Sequence, residues 1–148
     1  MQPVLSNAAP SADMKAAVYQ GQSKVTVERV PVPAIGKGEI LIRVETCGIC
    51  PTDLKKIAYN LLPGPRIFGH ETAGVVAAVG EGVTRVKPGD RVVAQIEHGA
   101  FAEQAVVREV LCCVMPASMP FEDGAAMGLV YLTAHNALVE RANVKAGE

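Results

Sequence analysis

The 148-residue sequence has no excess of either charge: 14 basic against 15 acidic side chains leave a net charge of −1 and a pI near 6.3. Nucleic-acid-binding domains carry a basic footprint, commonly with a pI above about 9, so nucleic acid is not an expected partner. Long hydrophobic runs are also missing. The longest apolar stretches, around Val75–Val79, Val110–Met115 and Ala125–Leu132, fall short of the roughly 18 residues a spanning helix needs, so they read as core and no membrane association is expected. Met1 to Asp13 have neither a positive n-region nor an apolar h-region, which argues against a signal peptide and predicts a flexible tail over residues 1–13. Cysteine is scarce. Four in a chain without an export signal do not make a disulfide framework, so reduced thiols and a cytoplasmic setting are expected. There is no internal repeat, and no low-complexity tract beyond the tail.

A chain of this length can bury about 70% of its unfolded surface, enough for one self-sufficient domain. Short β-rich segments punctuated by Gly and Pro predict strands over Met14–Gln20, Lys24–Val30, Glu39–Glu45, Gly74–Val79, Arg91–Gln95, Phe101–Val107 and Val110–Met115. In the third, Ile40, Ile42 and Val44 alternate with Leu41, Arg43 and Glu45, as a half-buried strand should. Pro51–Tyr59 reads as a helix with Pro at its first position and Thr52-Asp53 behind it. A second helix is predicted from Phe121 to Asn143, broken near Gly124–Gly128, with Val130, Ala134, Ala137 and Leu138 on one face. Many short strands with few helices predict a mainly β barrel or sandwich.

Cys47-Gly48-Ile49-Cys50 is a CxxC pair between a strand and a helix start. Three readings compete: a thioredoxin-like redox pair, a metal ligand contributed by one thiol, and two small buried hydrophobes. Gly69-His70-Glu71 shifts the balance toward metal. The sequence Gly-His-Glu, its downstream glycines Gly74 and Gly80, Cys-Gly-Ile-Cys-Pro-Thr-Asp and Lys87-Pro-Gly-Asp-Arg-Val, in this order and spacing, resembles the medium-chain dehydrogenase/reductase superfamily. The similarity is to the N-terminal GroES-like catalytic domain of zinc-type alcohol dehydrogenases, and it covers residues 14–148.

That resemblance implies a partly open GroES-like β-barrel and a role for each matching residue. Cys50 and His70 match two catalytic zinc ligands, and Glu71 matches the carboxylate beside the metal that can act as an alternative ligand. Such a donor set suits Zn²⁺, which can polarise a carbonyl or lower the pKa of a bound alcohol. Thr52 matches the hydroxyl that relays the alcohol proton, and Asp53 the acid that orients the ligating His. The plainer reading makes Thr52 and Asp53 first-turn caps. Cys47 is then a neighbour of the site.

The chain also departs from the zinc pattern. The third ligand, Cys or Glu, lies four residues before the Thr that corresponds to Thr133; here that position is Leu129, which cannot bind metal. The run Glu97–Glu103 leads directly into the next strand, without the four-cysteine structural-zinc lobe. Gly99–Glu103 and Leu132–Leu138 resemble the zinc-free quinone and enoyl reductase branch instead. Cys112 and Cys113 are adjacent on a predicted strand, so at most one can face a given metal. His98 and His135 are the remaining candidates for a third nitrogen.

The superfamily's hydride chemistry uses NAD(P) on a Rossmann domain, whose Gly-x-Gly-x-x-Gly turn none of the fourteen glycines forms. Pro51 stands where many relatives place a basic residue against the cofactor phosphates. The expectation is therefore a catalytic domain that meets Zn and a small-molecule alcohol, aldehyde or quinone, ends at a domain boundary and lacks dehydrogenase activity alone. A homo-oligomer is compatible with this reading. A zinc-free reductase domain and a non-catalytic barrel module are the alternatives.

Overall fold

The computed structural model describes residues 13–148, so the predicted tail lies outside the described residues except for Asp13, which opens the first strand. β1 (Asp13–Gly21) and β2 (Lys24–Pro31) form a hairpin, and β1 also pairs with the two-residue β4 (Arg66–Ile67). A second sheet of five strands has the order β7-β3-β5-β6-β8, comprising β3 (Glu39–Gly48), β5 (Glu71–Val79), β6 (Arg91–Gln95), β7 (Gln104–Arg108) and β8 (Cys112–Val114). Every strand pair is antiparallel. Residues 101–103 join the sheets: Ala17 N–H donates to the Phe101 carbonyl at 2.8 Å, and Val44 N–H to the Glu103 carbonyl at 3.0 Å. The architecture is mainly β with a few helices, and its strands do not close into a ring, as in the partly open GroES-like barrel that the family resemblance implies.

The core follows the strand pleat. Ile40 and Ile42 of β3 pack with Val76, Val92, Ala94 and Val107. Leu41 is also buried, against the simple alternation, while Arg43 and Glu45 on the same face of β3 are exposed. The predicted Phe101–Val107 strand begins only at Gln104, since the preceding residues bridge the sheets. The predicted Val110–Met115 strand is cut to Cys112–Val114 by a 3₁₀ turn at Glu109–Leu111.

Helix α1 (Pro51–Ala58) forms where Pro51 predicts it. α2 (Phe121–Ala126) packs Gly124 and Ala125 against Met115 and Ala73. The break predicted near Gly124–Gly128 does not occur. The backbone stays right-handed helical through Ala126 and Met127, widens into π-helical turns over Met127–Tyr131, and continues through α3 (Leu132–His135) to a second π-helical stretch at Asn136–Arg141. Gly124 serves close packing there rather than termination: a Cβ on it would lie 2.5 Å from the Met115 methyl. The predicted face of Val130, Ala134, Ala137 and Leu138 is exposed throughout.

Candidate metal centre

The site is assembled by the pairing of β3 with β5. Antiparallel register sets Cys47 opposite Thr72 and Gly48 opposite Glu71, so the end of one strand and the start of the next share a location. Cys50 follows β3 as the N-cap of α1, its Sγ accepting the Thr52 N–H at 3.4 Å. Asp53 sits in the first turn of α1 and is 1% exposed. His70 and Glu71 lead into β5. The strand-to-helix turn and the β5 entry thus bring their side chains to one point from segments some twenty residues apart.

Cys50, His70 and Glu71 each offer one ligand atom, and these atoms lie within 4.8 Å of one another. Behind them, Asp53 Oδ2 stands 3.2 Å from His70 Nδ1. This oxygen is fully buried and makes no hydrogen bond of good geometry, so the imidazole is the group it can answer to. With Nδ1 facing Asp53, Nε2 is the ring nitrogen left for a ligand. Gly48 makes room for the carboxylate: a Cβ at that position would lie 2.6 Å from Glu71 Oε2. Among the described residues Glu71 takes part in no ion pair, although it is buried.

Thiolate sulfur, imidazole nitrogen and carboxylate oxygen are the donors zinc takes, and three protein ligands with one open position are the pattern of catalytic zinc sites. The donor set, with an orphaned carboxylate oxygen behind the histidine, fits that metal. NAD(P) finds no such fit, because both sheets are antiparallel and the described residues contain no parallel strand crossover with a glycine-rich turn.

The other candidates fall outside the cluster. Cys47 is half-buried, and burial pushes its thiol from the ordinary 9.0 up to about 12, against the opposing influence of the Glu71 backbone N–H. Cys112 is buried and Cys113 exposed, on opposite faces as the strand pattern predicts. His98 and His135 are both exposed and neither joins the three donors. Leu129 lies half-buried in the first π-helical stretch, and Thr52 is exposed on the first turn of α1. The sequence reading passes over Gly48. A glycine between the two cysteines was visible, but its function depends on the β3–β5 register.

Residues 36–139 match the family model described as the alcohol dehydrogenase GroES-like domain. The chain belongs to this family. Among its curated relatives, the synaptic vesicle membrane protein VAT-1 homolog of Rattus norvegicus is 38% identical over 134 residues, covering 87% of this chain and 33% of the relative. Quinone oxidoreductase of Sus scrofa is 38% identical over 123 residues, covering 80% and 37%. The crystal structure of a human VAT-1 homolog-like protein superposes with a TM-score of 0.84 at 32% identity, over 91% of this chain and 46% of that one. An alcohol dehydrogenase superfamily protein from Novosphingobium aromaticivorans gives 0.79 at 30% identity, over 91% and 44%. This GroES-like domain therefore belongs with the medium-chain dehydrogenase/reductase oxidoreductases, and the chain spans about a third of the length of the curated relatives it matches.

Proposed function

We propose that this chain is the substrate- and zinc-binding catalytic domain of an NAD(P)-dependent oxidoreductase resembling zinc-type alcohol dehydrogenases, acting in the cytoplasm on a small alcohol, aldehyde or quinone. The observation that carries the proposal is the convergence of Cys50, His70 and Glu71 within 4.8 Å, with buried Asp53 3.2 Å from His70. Zinc held there supplies Lewis-acid polarisation of a substrate oxygen. Asp53 fixes the imidazole so that one nitrogen faces the donors. The Thr52 N–H holds the Cys50 sulfur in place at the helix start. The Thr52 hydroxyl, exposed two residues from Cys50, accepts the substrate's hydroxyl proton at Oγ1 and passes it to solvent. NAD(P) belongs to a separate Rossmann unit of the enzyme, and these residues alone do not turn substrate over.

A second reading, a zinc-free quinone or enoyl reductase domain, is favoured by Leu129 at the third-ligand position. The direct run from Gly99 to Glu103 also favours it, as do relatives named quinone oxidoreductase and, in Fusarium mangiferae, trans-enoyl reductase. NMR titration of zinc-treated chain with a short alcohol, an aldehyde and a quinone separates the two. Under the zinc reading, shifts centre on Thr52 and His70 and vanish in a Cys50→Ser, His70→Ala double variant. Quinone shifts that persist in that variant favour the second reading.

A further inference from the structure

A cavity of about 560 Å³ lies between the three-stranded sheet and β7, and none of the four residues of the metal centre lines it. Its walls are largely aliphatic, with Val18, Val30 and Ile67 among them, while Arg66, His98 and Gln104 also line it. No acidic residue among the described ones does. Arg66 forms no ion pair among the described residues, and neither His98 nor Gln104 has a side-chain partner there.

The backbone around these groups is fixed. β4 is pinned to β1 through Tyr19 opposite Arg66 and Val18 opposite Ile67. The 98–101 loop is tied to the end of the same segment, with Gly99 N–H donating to the Phe68 carbonyl at 3.2 Å and Phe101 N–H to the same carbonyl at 2.9 Å. Gln104 opens β7, opposite Arg43 of β3. Cavities of roughly 300–1,000 Å³ with apolar walls and a few converging polar groups are the usual form of small-molecule sites. A free guanidinium presents a planar fork that matches a carboxylate, and an amide and an imidazole lining the same cavity can add hydrogen bonds.

We propose that this cavity is a second binding site, independent of the metal centre, for a small amphipathic carboxylate whose aliphatic chain lies along Val18, Val30 and Ile67 and whose anionic head meets Arg66, Gln104 and His98. The charge and the aliphatic tail are both required for recognition, since either alone satisfies only part of the lining.

Octanoate, octanol and acetate, titrated into the isotopically labelled full chain and followed by NMR, test the proposal. Octanoate is expected to give saturable shifts at Val18, Ile67, Arg66, His98 and Gln104. Octanol and acetate should bind at least tenfold more weakly, and Arg66→Gln should weaken octanoate roughly tenfold, the worth of one charge-assisted bond. The wild-type shift map stands even if the variant folds poorly. The proposal is overturned by an absence of saturable shifts at millimolar octanoate, by shifts centred on Cys50, His70 and Glu71, by equal binding of octanol, or by a folded Arg66→Gln chain that binds octanoate unchanged.

Discussion

Each side chain of the candidate metal centre is held in place by a particular neighbour. Asp53 is the residue whose loss should be most informative, because it touches His70 and not the open position. Asp53→Asn is expected to keep the fold and lower zinc affinity about 10- to 100-fold, as loss of a carboxylate behind a ligating histidine commonly does, measured by competition with a chromophoric chelator. Cys112 gives a residue-scale pH dependence that involves no metal. Burial, assisted by adjacent Cys113, pushes its thiol from 9.0 up to about 12. As pH rises past about 9 the unfolded thiol ionises first, so the unfolded state binds fewer protons and stability falls, progressively, up to about pH 12. Below about pH 9 the contribution is intact. Urea midpoints at about pH 8 and about pH 10.5 should show this fall, and Cys112→Ala should lessen it; an unchanged pH slope in the variant would count against the assignment.

At the scale of elements, two close contacts hold the β3–β5 pair in the register that builds the site. Gly74 lies opposite Val44, where β3 carries a bulge, and a Cβ on it would stand 2.1 Å from the Arg43 carbonyl oxygen. Gly74→Ala must push the strands apart and should cost about 3 kcal/mol or more in urea unfolding, the upper range for overpacking a tight site. Gly48→Ala meets the movable end of Glu71 instead. It should cost less stability but displace the carboxylate, so zinc affinity falls while the urea midpoint shifts little. Glu109 ties a loop to the sheet, its buried Oε1 accepting the backbone N–H groups of Thr84 and Arg85. Glu109→Ala leaves those donors unanswered and should cost about 1–3 kcal/mol. Much at this scale was legible in the sequence. The Pro51 start of α1, the β6 bounds and the Cys112/Cys113 split follow from local pattern alone. The bulge, the burial of Leu41 and the uninterrupted helix through Gly124 did not, because packing between elements decides them, as where Gly74 meets Arg43 and Gly124 meets Met115.

For the whole molecule, the same asymmetry runs between donors and their arrangement. Cys50, His70 and Glu71 could be named from the family resemblance their motifs carry, and a mainly β barrel or sandwich from the spacing of short strands. Their convergence depends on a sheet register that no local pattern encodes, and the Arg66 cavity on two sheets meeting across residues 101–103. The helical run from Met127 to Arg141 exposes Val130, Tyr131, Leu132, Leu138 and Val139, spread around its circumference, so the apolar face expected from periodicity, Val130, Ala134, Ala137 and Leu138, has no cover among the described residues. Zinc held by Cys50, His70 and Glu71, without a ligand from position 129, is what the proposed function requires. Elemental analysis of the chain after zinc loading and exhaustive dialysis tests it most directly, with the Cys50→Ser, His70→Ala double variant treated in parallel. One zinc per wild-type chain and loss of that zinc in the double variant are expected; equal zinc in both, or none retained by the wild type, would rule out a zinc site at these three residues.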